Sequence, residues 1–129
     1  MSSDEEMGAF VAARLDEEQA RAEAMEHDID WDDDHRSCPA ARTAAPLPPG
    51  KDACSCGLAE RKAKRLREVE AGREIVARYE QWRQQADLIT NAGAKPSIAL
   101  TGGLSALRRI VRATAAIWND HPDYRDWKP

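Results

Sequence analysis

The sequence predicts an all-α fold, three helices with a long central one and a Pro/Cys-containing loop after the first. Three observations predict it. Apolar residues recur at spacings of three, four and seven over three separate stretches, the period of a helix face. No stretch alternates apolar and polar residues convincingly; Ser97-Ile98-Ala99-Leu100 is too short to make a strand. Alanine, the best helix former, supplies 23 residues of the 129. The helices, the loop and the end of the chain are read as one small domain.

The first helix is expected over residues 1–27. Ser3-Asp4-Glu5-Glu6 has the form of a capping box, in which Ser3 accepts from the Glu6 amide while Glu6 reaches back. The three acids also suit the positive end of a helix. Met7, Val11, Leu15, Ala22, Met25 and Ile29 then trace one stripe, with Phe10 beside it.

From 28 to 57 the periodicity disappears into an acidic run and Pro39, Pro46, Pro48, Pro49 and Gly50, the composition of a loop or insert. The second helix is expected over 58–92, with Leu66, Val69, Val76, Tyr79, Trp82, Ala86 and Ile89 on its buried side. At 1.5 Å per residue it would run roughly 50 Å. Gly72 falls in its middle, where a second helix can cross closely, and Asn91-Ala92-Gly93 followed by Pro96 gives the stop. Thr101-Gly102-Gly103 introduces a third helix, 104–120, whose apolar side is Leu104, Leu107, Ile110, Val111, Ile117 and Trp118; Pro122 ends it.

Leu, Ile, Val and Phe together supply only 19 residues, so a monomer has a thin core, and a protein partner or a homodimer is the expected remedy. Charge is unevenly divided. Met1 to Arg36 holds 13 acids against 3 bases, while Ser37 to Pro129 holds 10 acids against 16 bases, so the acidic part is expected to screen the basic one. No apolar run approaches the roughly 20 residues that cross a bilayer. The acidic start Met1-Ser2-Ser3-Asp4 differs from the basic start of a signal peptide, so no membrane association and a cytoplasmic setting are expected.

Three cysteines, an odd number, argue against a disulfide framework. His35-x-x-Cys38 and Cys54-x-Cys56, with fifteen residues between the pairs, read either as free thiols and a histidine in a loop or as the four ligands of a structural zinc that staples it. Asp28, Asp30, Asp32, Asp33 and Asp34 lack the Gly and closing Glu of a calcium loop and read as a solvated run. Arg61, Lys62, Lys64, Arg65 and Arg67, with Arg108, Arg109 and Arg112, form two basic clusters suited to nucleic-acid phosphates. Interleaved Glu60, Glu68, Glu70 and Glu74 favour an ordinary solvated helix face instead. No phosphate loop, dinucleotide fingerprint or serine elbow is present, and no catalytic residue is assigned.

The closing segment His121-Pro122-Asp123-Tyr124-Arg125-Asp126-Trp127-Lys128-Pro129 reads as an aromatic clasp. Tyr124 and Trp127 can cover a helix seam, and together with Trp118 they are the candidate partner-binding residues. This ending, the Phe10-containing helix and the central segment Lys64 to Val76 stand in the same order as in a family of unknown function found in actinobacteria and their phages, which the chain resembles. The resemblance implies an actinobacterial or phage context and brings no catalytic residues with it. The cysteine-bearing stretch before the central helix departs from the family pattern. Taken together, the residues point to a non-enzymatic protein-binding accessory protein, with a nucleic-acid-binding regulator as the alternative.

Overall fold

In the computed structural model, residues 2–25 and 57–127 are described. They form three α-helices and no strand: α1, Ser3–Glu23; α2, Leu58–Asn91; and α3, Ile98–Ala115, which continues into a 3-10 turn at Ala116–Trp118. The fold is all-α. The expected loop over 28–57 lies outside the described residues except for Gly57, as do His35, Cys38, Cys54 and Cys56 and the aspartates from Asp28 to Asp34.

The start of α1 is capped one residue earlier than the sequence suggests. Ser2 Oγ accepts from the Glu5 amide at 3.2 Å, and Glu5 Oε2 accepts from the Ser2 amide at 3.2 Å. Both Ser2 and Ser3 have a glutamate three residues on, and the frame used is Ser2 with Glu5. The helix also ends at Glu23, short of the expected residue 27.

α2 opens behind Gly57, whose φ of 76° lies in the left-handed region and whose carbonyl accepts from Arg61 N at 3.0 Å. Its end is a Schellman motif. Gly93, at φ 81°, donates to Thr90 O at 3.0 Å, and Ala94 N donates to Ile89 O at 3.1 Å.

α3 begins six residues before the expected start. Ser97 caps it by accepting from Leu100 N at 3.1 Å, so Thr101-Gly102-Gly103 lies inside the helix. Gly103 is there because of its neighbour: a Cβ on it would collide with the Trp82 ring. Gly72 answers to its sequence reading, since a Cβ there would stand 2.9 Å from Leu15 Cδ2.

The chain divides into two compact units, Met1–Leu15 with Gly72–Pro129, and Asp16–Ala71. In the first, Met7, Phe10, Val11 and Leu15 of α1, Val76 and Tyr79 of α2, Leu104, Val111 and Ala115 of α3, and Trp127 are buried. In the second, the buried residues include Ala22, Leu58, Ala59 and Val69. The stripe expected on α3 is only partly covered: Ile110 is 46% and Ile117 69% exposed, because the helix packs on the Leu104–Val111–Ala115 line.

Ion pairs tie the first unit together. Arg83, almost fully buried, meets Glu80 at 2.7 Å, Glu5 at 3.0 Å and Asp87 at 3.1 Å. The hydrogen bond it donates to Glu80 raises its pKa above the ordinary guanidinium value. Arg108 on α3 reaches Asp4 on α1, beside the Tyr79 hydroxyl. Burial, then the Asp4 charge, push that hydroxyl up to about 12.

Candidate partner-binding cavity

Phe10 is the centre around which the closing segment is built. It sits on α1 with Arg14 one turn further on, so the two share a face, and the Arg14 guanidinium carbon lies 5.1 Å from the Phe10 ring centroid. Four rings from the other end of the chain surround Phe10. Trp127 is at 5.2 Å, His121 at 5.7 Å, Tyr124 at 5.9 Å and Trp118 at 6.5 Å between centroids, and all but Trp127 approach edge to face. Tyr124 and Trp127 also meet edge to face at 5.4 Å.

Local backbone chemistry brings these rings round. The 3-10 turn lets His121 N donate to Trp118 O at 2.9 Å, Pro122 blocks further helix, and Tyr124 N donates to His121 O at 2.9 Å. A three-residue turn follows, in which Trp127 N donates to Arg125 O at 3.0 Å. These turns bring the closing segment onto Phe10, and the His-Pro break read from the sequence lies between the 3-10 turn and Tyr124.

His121 is held from both sides. Its Nδ1 accepts from Asp123 N at 3.0 Å, and its Nε2 meets Arg14 Nη1.

Beside this cluster is a cavity of about 470 Å³, within the range of small-ligand and side-chain pockets. Its walls are apolar and aromatic (Ala9, Phe10, Ala13, Pro122, Tyr124, Trp127), with Glu6, Arg14, Asp123 and Arg125 as charged members. Arg14 is 7% and Trp127 6% exposed, so both the cation and the large ring are fixed parts of the protein. The indole Nε1 of Trp127 is buried with no acceptor among the described residues.

Of the three aromatics expected to meet a partner, Trp127 is buried, while Trp118 and Tyr124 stay half-exposed. Arg14 and Glu6 were not anticipated as site residues. The signal for Arg14 is its position one turn after the lone Phe, where an arginine would otherwise face solvent.

The basic residues divide between the two units. In the Asp16–Ala71 unit, Arg61, Lys64, Arg65 and Arg67 are exposed, but Lys62 is 1% exposed, and Glu68 is shared by Lys64 at 4.0 Å and Arg65 at 3.5 Å. In the other unit, Arg109 is exposed and Arg112 half-buried, while Arg108 is engaged by Asp4. No helix among the described residues is long and apolar enough to cross a membrane.

Neither the curated proteins nor the solved structures contain a match to this chain. The family comparison does find one, over residues 4–129, spanning the Phe10 helix and the closing segment that packs on it: the chain belongs to DUF6221, a family of unknown function.

Proposed function

We propose that this chain is a non-enzymatic, protein-binding accessory protein of phage or actinobacterial origin that acts in the bacterial cytoplasm. The observation that carries the reading is the cavity at Phe10. It is concave and aromatic, its rear is fixed by buried Arg14 and Trp127, and half-exposed Tyr124 stands on its wall. Aromatic side chains and arginine are the residues enriched in protein-binding hot spots. The exposed Ile110 and Ile117 of the same unit add apolar area that a partner or a second copy of the chain would cover. The actinobacterial or phage setting is what the family resemblance of the three sequence blocks implies.

The test compares wild-type protein with Tyr124→Ala and Trp118→Ala in capture from host lysate, with native mass spectrometry for self-association. A single protein held stoichiometrically by the wild type and lost with Tyr124→Ala, while helical circular dichroism is unchanged, supports the reading. A dimer that both variants dissociate identifies the partner as a second copy. Equal capture by all three proteins, or a monomer that captures nothing, argues against it. If the protein instead shifts random-sequence DNA with a steep salt dependence, the reading moves to the alternative, a nucleic-acid-binding regulator using the exposed Arg61, Lys64, Arg65, Arg67 and Arg109.

A further inference from the structure

We infer that the face of α3 opposite its Leu104–Val111–Ala115 line is a self-association surface, which takes a second copy of this chain laid antiparallel. Ala99, Gly102, Ala106, Ile110, Ala113 and Ile117 follow one another at spacings of three and four, so they share one face. All six are exposed, Ile110 by 46% and Ile117 by 69%. α3 is thus apolar on two opposite sides, and a helix apolar all round belongs inside an assembly rather than at its edge. Single exposed apolar side chains are ordinary, whereas a continuous line of them along a whole helix marks an interaction surface. This face shares no residue with the walls of the Phe10 cavity.

Two properties of the face select a second copy as its occupant. The first is charge. Lys95 stands just before the positive end of α3 and Asp120 just past the negative end of its 3-10 extension, both exposed, so each sits beside a dipole end of its own sign. An antiparallel second copy reverses this: Lys95 comes to the Asp120 and the negative end of the other helix, and two-fold symmetry makes the exchange twice. The second property is relief. A Cβ on Gly102 meets nothing within 4 Å, so one end of the face has a notch where the other carries Ile110 and Ile117. With the two-fold axis at Ala106, Ile110 enters the notch at Gly102 of the second copy, Ala113 meets Ala99, and Ile117 lies along the Lys95 stem. Arg109 flanks the line, and its long stem lets the guanidinium stay in water. Six residues are fewer than the roughly 20–30 that a standard interface takes from each partner, so the dimer is weak and forms at micromolar concentrations.

The inference extends the protein-binding reading to a second surface, and its experiment is sedimentation velocity of the full-length protein over roughly 1–500 μM. The expected result is a monomer–dimer equilibrium with a midpoint of about 10–100 μM. Ile110→Glu should abolish the dimer across that range. Gly102→Gln, which fills the notch at an open position of the helix, should do the same with helical circular dichroism unchanged, so a folding failure of the first variant leaves the question answered. Register is read by charge. Lys95→Asp or Asp120→Lys alone should weaken the dimer by about tenfold, and the two together in one chain should restore most of it. A monomer throughout, a dimer untouched by both Ile110→Glu and Gly102→Gln, or a double reversal no better than the single ones overturns the inference. The two readings fail separately. A monomer that still captures a protein through Tyr124 overturns the α3 dimer alone, whereas a dimer broken by Ile110→Glu in a protein that captures nothing supports it while the cavity reading fails.

Discussion

Asp4 and Arg108 are 104 residues apart in sequence, and in the fold the carboxylate takes two hydrogen bonds from the guanidinium, Nε to Oδ1 at 3.2 Å and Nη2 to Oδ2 at 2.9 Å. This paired geometry joins the first turn of α1 to the middle of α3 beside Tyr79, and the Asp4 hydrogen bond raises the Arg108 pKa above its ordinary value. Each partner is about two-thirds buried, so water screens part of the attraction. Asp4→Asn should cost about 1 kcal/mol. In urea denaturation, a double-mutant cycle of Asp4→Ala and Arg108→Ala should return a coupling of similar size; additive single effects would show that the pair contributes nothing.

Tyr79 makes stability depend on alkaline pH. Its pKa is about 12 in the folded protein against 10.0 for an ordinary phenol, so the native state keeps a proton that the unfolded chain releases. The stabilisation is fully present below pH 10 and is lost as the pH rises towards 12, by roughly 2–3 kcal/mol. Tyr79→Phe should remove this part of the alkaline slope. A wild-type and a variant curve that run parallel from pH 10 to 12 would contradict the assignment.

Two adjacent glycines of α3 should respond in opposite directions. A Cβ on Gly102 meets nothing within 4 Å, while one on Gly103 collides with the Trp82 ring. Gly102→Ala should therefore stabilise by about 0.5–1 kcal/mol through helix propensity. Gly103→Ala should destabilise by about 1–3 kcal/mol because a packed aromatic has to move. Thermal melts of the two variants check both signs.

The closing clasp should be worth a large core residue. Trp127 is buried against Phe10 at 5.2 Å, and Trp127→Ala should cost about 3 kcal/mol, as should Phe10→Ala. The two losses should be less than additive, since the rings share one cluster. Circular dichroism during denaturation of the wild type, the two single variants and the double variant measures both losses and their coupling.

Periodicity carried the helices because a 3.6-residue repeat survives in one dimension: the Met7–Val11–Leu15 stripe and the bounds of α2 were legible, and so was the Gly93 stop, whose residue type answers to a single backbone angle. Two helix starts were displaced because capping has competing frames. Ser2 and Ser3 each precede a glutamate by three residues, and the Gly102-Gly103 pair resembles a break until Trp82 is seen to need the space. The clasp was legible as aromatics after a His-Pro stop, but not its receiving surface. Phe10 and Arg14 are separated from His121 by more than a hundred residues, and no local pattern states which distant face a ring will choose. The same holds for Arg83, whose three carboxylate partners include Glu5 from α1.

The stretch from Ser2 to Glu6 does more than begin a helix. Ser2 and Glu5 close its first turn, Asp4 grips α3, Glu5 also reaches Arg83 on α2, and Glu6 forms part of the cavity wall. Helix ends ordinarily fray first and exchange their amide protons soonest. Here the first turn is a shared joint among three helices, so it opens only when the helices part, and the timing of its exchange becomes a clock for the unfolding of the whole unit.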